Sequence, residues 1–322
     1  MKLPGRAFWI KLLKIALIIV VIVLIWRLDI INPGTISRIL SQPLAFVLSV
    51  AALIATVHLS AIRWHLLLRV HGQAVSIGRL TKIIYTSYFL GGATVGTLGV
   101  DGLRLYYIGR EAHDSVGQAY LSIAADRLIS LLGLIVTGAL FFAIDYQDVL
   151  RYGEIRLLVV LSLLAGLGIL LIGFLIVAYE RFIAPLFQHI RIFVRVQTHL
   201  RLLIEYYRLS PWRLLLCLGI SVVIQLATVA SLLILAHAIL RPSLSVIQLG
   251  LAGVMATIAN QIPITPGGLA IGESVFAYLC RLMDPVHVTS DYGSVVFLQR
   301  IVGIVAVLPG LLFYLAGRRS PN

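Results

Sequence analysis

The sequence predicts an all-α, polytopic membrane helix bundle, and three observations carry that reading. Of its 322 residues, 60% are hydrophobic and only 12% are charged, and mean hydropathy is +1.01. A soluble domain needs a charged surface that this composition does not supply. The apolar residues also come in long continuous runs, without the period-two alternation of a barrel strand. Lipid offers the backbone no partner, so the element that crosses is a helix, which satisfies its own N–H and C=O groups.

About six full spans are expected. The first, 15–26, follows Lys2, Arg6, Lys11 and Lys14; no small-residue cleavage site comes after it, so it reads as an uncleaved helix. Five stronger runs follow at 44–62, 128–144, 157–179, 214–240 and 295–316. Each approaches or exceeds the length that covers ~30 Å of hydrocarbon at ~1.5 Å per residue. Two further regions, 83–100 and 246–282, are apolar but interrupted by glycine, proline and acids. No segment is large enough for a separate soluble enzyme, so residues 1–322 are expected to form a single membrane domain.

The net charge of +13 is scattered between apolar runs and forms no basic face, which argues against nucleic acid and for anionic headgroups as partners. The positive-inside bias then sets orientation. The N-terminus, the stretch with Arg63, Arg69, Arg79 and Lys82, the arginine-rich segment 181–213 and the tail with Arg318 and Arg319 all read as cytoplasmic. That places both termini inside, in an inner (cytoplasmic) membrane. Segment 181–213 is either a helix lying on the membrane surface or a long basic loop. Asp145, Asp148 and Glu154 mark an external connection.

Parity adds information. The chain is inside at Lys82 and must be inside again where the 128–144 helix begins, so 83–127 enters and turns back. Region 246–291 does the same from the opposite face. Two oppositely oriented re-entrant hairpins are therefore expected, in matching places within an inverted-topology repeat, first copy about 44–144 and second about 212–317. Local sequence agrees. Gly96-Thr97-Leu98-Gly99-Val100-Asp101 pairs with Gly267-Gly268-Leu269-Ala270-Ile271-Gly272-Glu273, with one inserted residue, and Asp126-Arg127-Leu128-Ile129 pairs with Gln299-Arg300-Ile301-Val302.

Charges inside the membrane are the strongest functional pointers, because a central Arg or Asp costs roughly 2.5–3.5 kcal/mol on insertion scales and is kept only where it is paired or wet. Arg300 lies well within the last helix; Arg127 is its counterpart near the start of an earlier one. Asp101 and Glu273 sit in the glycine-rich breaks, Asp126 precedes Arg127, and Arg104 lies one turn past Asp101. One reading is a polar cavity between the halves in which Arg104, Arg127 and Arg300 hold phosphate through their guanidinium forks. Asp101 and Glu273 then orient the arginines or take a cation or proton, and free N–H groups at the broken helix ends add donors. The other reading is a pair of buried salt bridges, Asp101–Arg127 and Glu273–Arg300, that only hold helices together. Pro263, Pro266, Gly267 and Gly268 break a helix at apparent mid-membrane depth and make Asn260 and Thr265 candidate lining residues. Gly92 and Gly96 have the spacing of close helix packing. Trp64, Tyr106, Tyr107 and Trp212 read as interface-belt aromatics. His58, His65 and His71 lack carboxylate or cysteine company, Cys217 and Cys280 stand alone, and neither metal nor cofactor is implied. No P-loop, nucleophile elbow or HExxH helix is present.

The pattern resembles the transmembrane, flippase-like family of lysylphosphatidylglycerol synthases. The carrying residues are Arg63-Trp64, Gly99-Val100-Asp101-Gly102-Leu103-Arg104, Asp126-Arg127-Leu128, Ile262-Pro263-Ile264-Thr265-Pro266-Gly267-Gly268-Leu269 leading to Glu273, and Arg300 with Pro309. Val95 stands where the family's first motif usually has proline. The resemblance implies movement of lipid between leaflets, and the aminoacyltransferase domain of the fused members has no counterpart in this sequence. The expectation is thus a stand-alone flippase or scramblase for an anionic phospholipid or polyprenyl-phosphate carrier, not an enzyme. Two alternatives remain: a membrane-embedded lipid-phosphate transferase or hydrolase with Asp101 or Glu273 as general base, and a non-catalytic subunit docking a separate synthase. A homo-oligomer or a separate lipid-modifying enzyme is a possible partner.

Overall fold

The computed structural model describes residues 33–70, 75–92, 97–111, 116–147, 211–240, 242–261, 269–284 and 291–318, with scattered positions between 151 and 168. The expected spans 15–26 and 157–179 and the segment 181–213 lie wholly or mostly outside them. The described residues form an all-α bundle: α1 (Pro33–Leu40), α2 (Pro43–Val70), α3 (Ile77–Gly92), α4 (Thr97–Glu111), α5 (Val116–Ile144), α6 (Pro211–Ile239), α7 (Val246–Ala259), α8 (Ile271–Met283), α9 (Tyr292–Val307) and α10 (Pro309–Arg318). Among them, 4 helical stretches are long and apolar enough to cross a bilayer: Pro43–Arg69, Leu121–Ile144, Trp212–Ile239 and Tyr292–Ala316.

These match four of the expected spans, with shifted ends. Helix α2 runs on past Ile62 to Val70, because Arg63 and Arg69 are good helix formers that end an apolar run without ending the helix. Helix α5 begins at Val116, well before the apolar run, so Asp126 and Arg127 lie in its middle and not near its start. The helix of the last span is interrupted at Leu308, since Pro309 has no N–H to continue the ladder.

The two interrupted regions each fold as a pair of short helices, α3–α4 and α7–α8, packed against each other. With 16, 15, 14 and 13 residues, each is about 20–24 Å long at ~1.5 Å per residue, shorter than the ~30 Å hydrocarbon layer. Helix α7 starts on a capping box, Ser245 Oγ accepting from the Gln248 N–H while Gln248 Oε1 accepts from the Ser245 N–H. Helix α8 starts from Ala270, whose φ of 69° is left-handed, a conformation that costs a residue with a Cβ energy and persists where the surroundings hold it.

Helices α2 and α6 make the most extensive contact in the bundle, and they run antiparallel: Ser49 donates to the Ser231 carbonyl at one end, while Arg63 meets Ser221 at the other. Small residues set the helix spacing. A side chain at Gly133 of α5 would overlap Ser221 of α6, and one at Gly91 would overlap the backbone of Gly99 and Val100 where α4 begins; the close approach in the first hairpin is therefore at Gly91. Larger apolar side chains, such as Leu235, Leu249, Phe276 and Tyr292, fill the main core between α6, α7, α8 and α9.

Replacing Gly133 with valine forces α5 and α6 apart and is expected to destabilise the protein by about 1–3 kcal/mol, the range for overpacking. Gly219→Ala is the control, because a Cβ there meets nothing within 4 Å. Thermal unfolding in detergent distinguishes them: a lowered midpoint for Gly133→Val and an unchanged or raised one for Gly219→Ala.

Candidate functional site

The first hairpin and the helices around it gather five charges into one alternating chain. Arg127 on α5 grips Asp101 on α4 side-on, with Nε 2.5 Å from Oδ2 and Nη2 2.8 Å from Oδ1. Asp101 Oδ1 is also 3.7 Å from Arg104 Nη1. That same nitrogen donates to Asp126 Oδ2 at 2.9 Å. The other oxygen of Asp126 accepts from Arg63 Nε at 2.7 Å, and Arg63 Nη1 donates to Ser221 Oγ on α6 at 2.6 Å. The order is thus Arg63, Asp126, Arg104, Asp101, Arg127, binding four helices through charge-assisted hydrogen bonds.

Helical spacing builds this order. Asp101 and Arg104 are one turn apart on α4 and share a face, while adjacent Asp126 and Arg127 point in different directions from α5, one toward α2 and one toward the cavity described below. Burial grades along the chain. Arg63, Arg104 and Asp126 are buried, whereas the side chains of Asp101 and Arg127 keep 20% and 31% of their exposure. The Arg104 guanidinium lies 4.1 Å from the centre of the Trp64 ring, and Trp64 itself is fully buried with its Nε1–H on Ser122 Oγ. Trp64 is therefore a packing platform for a cation and no interface-belt residue; Tyr106 and Trp212 do stay exposed.

The second hairpin repeats the central pair. Arg300 on α9 donates through Nε to Glu273 Oε1 at 2.5 Å and through Nη2 to Glu273 Oε2 at 3.2 Å. Asn260, at the end of α7, accepts from Arg300 Nη2 at 3.1 Å and from the Gly272 N–H at 3.0 Å. It thereby satisfies one of the orphan donors at the start of α8, and only a glycine at 272 leaves room for its side chain. Glu273 is buried, and the Arg300 side chain is 25% exposed. Both salt bridges foreseen as the alternative to ligand binding are thus formed.

Beside the first pair is a partly open cavity of about 230 Å³, lined by Asp101, Arg127, Ser130, Leu131, Leu134, Gln225 and Gln261. Residues of both halves meet there, because Gln261 adjoins Asn260 and Gln225 comes from α6. Of the three expected phosphate-holding arginines, Arg127 lines this cavity, Arg104 is buried and does not line it, and Arg300 stands with Glu273 and Asn260. Thr265 falls outside the described residues. Sequence reasoning passed over Ser130, Gln225 and Gln261, although Gln225 in the middle of a 29-residue apolar helix is a polar group that membranes admit reluctantly. It also took Arg63 for a cytoplasmic marker, when it is a buried member of the charge chain. Among the described residues, no group of His, Cys, Asp and Glu has the arrangement of a metal site.

Asp126 is the buried counter-ion of two arginines, so Asp126→Asn is expected to cost about 3–5 kcal/mol, the range for breaking a buried ion pair. Asp101→Asn affects a wetter pair and costs less. Thermal unfolding of the two variants in detergent checks this; equal midpoints would remove Asp126 from its central place.

No curated protein and no solved structure matches this chain. One family model does, that of the lysylphosphatidylglycerol synthase TM region, and it spans residues 11–315. A match over nearly the whole sequence shows that the chain belongs to the lysylphosphatidylglycerol synthase transmembrane family.

Proposed function

We propose that this protein is a lipid translocase, a flippase or scramblase of the inner membrane, that passes an anionic phospholipid or related lipid phosphate between leaflets through the cavity at Asp101–Arg127. The observation that carries this reading is a guanidinium–carboxylate pair placed at the wall of a polar cavity, inside a bundle whose composition demands lipid around it. A bilayer keeps such a pair partly exposed where something polar visits.

The chemistry fits a phosphate headgroup. Arg127 presents a planar fork that matches two phosphate oxygens as well as it matches Asp101. Ser130, Gln225 and Gln261 add neutral donors and acceptors for the ester oxygens or hydroxyls of the headgroup, and Leu131 and Leu134 receive the apolar start of the lipid. At about 230 Å³ the cavity is below the ~300–1,000 Å³ of sites that enclose drug-sized ligands. It holds a headgroup while the acyl chains remain in the membrane. Transport follows if α3–α4 and α7–α8 rearrange against α2 and α6, so that the cavity faces first one leaflet and then the other.

The Glu273–Arg300 pair takes the corresponding place in the second half, where it meets the headgroup or holds the closed state. A hydrolase reading is less well supported by the geometry, because the oxygens of Asp101 and Glu273 are engaged by guanidinium forks and are poorly placed to accept a proton from a nucleophile.

In proteoliposomes with fluorescent phosphatidylglycerol, the wild-type chain is expected to equalise label between leaflets. Arg127→Ala and Arg300→Ala are expected to slow this roughly tenfold or more, the loss of one charge-assisted hydrogen bond at about 1.5–3 kcal/mol. Unfolding midpoints measured alongside separate transport from folding. Unchanged movement in both variants rejects the site.

A further inference from the structure

Arg127 and Arg300 use the same edge of the guanidinium, Nε with Nη2, to hold their carboxylates. Arg104 uses only Nη1. Its Nε and Nη2 are buried and have no hydrogen-bond partner among the described residues, although the residue is only 4% exposed. Buried donors are almost always satisfied, and this edge is the one that binds an oxyanion with two parallel bonds. The fork of Arg104 is therefore shaped for a carboxylate that does not occupy it in this state.

The carboxylate within reach is Asp101. It sits one helical turn away on α4, already 3.7 Å from Arg104 Nη1 while bonded to Arg127. An anion entering the cavity meets Asp101 and Arg127, which line it, and not Arg104, which is buried and does not. Such an anion competes with Asp101 for Arg127 and repels it. We propose that Arg104 is a positioning residue that receives Asp101 when a phosphate takes Arg127. This rests on the reading of the cavity as a phosphate site and names how that site stores and returns its own counter-ion.

The exchange needs only rotation of two side chains. The chain of Arg63, Asp126, Arg104, Asp101 and Arg127 has three cations and two anions, a net charge of +1, and an arriving monoanion makes it neutral without any charge leaving the membrane interior. Turning its open edge toward Asp101 shifts the Arg104 guanidinium over Trp64, and through Asp126 and Arg63 the shift reaches Ser221 on α6. Occupancy of the cavity is thereby communicated to the contact between the halves.

Trp64 supplies the test. In full-length protein with Trp9→Phe, Trp26→Phe and Trp212→Phe, short-chain dioctanoyl phosphatidylglycerol or inorganic phosphate is titrated in detergent, with calorimetry and Trp64 emission recorded together. The expected result is an emission change that saturates in step with binding. Asp101→Asn is expected to bind at least as tightly, since Arg127 has lost its competitor, and to leave Trp64 emission unchanged. Arg104→Gln is expected to bind about tenfold more weakly, a difference of ~1.4 kcal/mol, because displaced Asp101 finds no cation. A response to the lipid alone assigns the anion to a headgroup carried on acyl chains; a response to both probes shows that phosphate suffices. Binding with silent Trp64 emission, a full response in Asp101→Asn, or undiminished affinity in Arg104→Gln each overturns the relay alone. Absence of binding by either probe overturns the relay and the phosphate reading together.

Discussion

A guanidinium in hydrocarbon must be neutralised by a neighbour or left in contact with water, and much of this architecture follows from that constraint. Arg63, Arg104 and Arg127 come from three different helices, so their counter-ions have to be supplied across helix interfaces. Asp126 can serve two arginines only because α2 and α4 both approach α5 closely enough for direct hydrogen bonds. That approach is made possible by small residues: Gly91 brings α3 onto the start of α4, and Gly133 brings α5 onto Ser221, which itself caps the Arg63 end of the chain. The helix breaks serve the same end. An uninterrupted span would carry Asp101 or Glu273 past its arginine, whereas a short helix that begins at Thr97 or Ile271 presents its acid in the first turns.

The two halves share the central pair and differ in what surrounds it. One turn after the acid, α4 has Arg104 and α8 has Phe276. Immediately before the arginine, α5 has Asp126 and α9 has Gln299. Phe276 is buried against Tyr292, and Gln299 donates to the Thr228 carbonyl on α6. The second half therefore holds its pair with a neutral amide, Asn260, in an apolar setting, while the first half sets its pair on a buried ionic network. The two pairs thus differ in setting: one is joined to a buried ionic network and lines the cavity, and the other is clamped by Asn260.

How much of this could be read in advance depended on whether the signal was local. Apolar runs marked the four described spans, and glycine and proline marked both hairpins, because lipid solvation and helix breaking are properties of contiguous residues. The pairings Asp101–Arg127 and Glu273–Arg300 were legible as well, through their similar spacing and the cost of burying any of the four alone. Arg63 was misread because a basic residue at the end of an apolar run looks the same whether it meets headgroups or Asp126; only the extension of α2 to Val70 tells them apart. The start of α5 was misplaced for a related reason, since the polar residues before the apolar run hid a helix that tertiary contacts complete. Gln225 stood out only as a polar group within an apolar helix, Gln261 and Ser130 carried no pattern that separated them from ordinary polar residues, and the convergence of the three depends on the packing of α5, α6 and the end of α7.

Prior occupation of the arginines by carboxylates has a consequence for transport. A carrier site has to bind its ligand well enough to take it up and weakly enough to let it go. A bare guanidinium in a low-dielectric cavity would hold phosphate too firmly to release it, since the same low dielectric strengthens every charged contact. On the proposed reading of the cavity as a phosphate site, Asp101 lowers that affinity by competing for Arg127, so the net free energy of binding is the difference between two similar fork geometries. In the proposed translocase the carboxylate thus makes Arg127 exchangeable, and an exchangeable arginine is the kind that lipid transit would require.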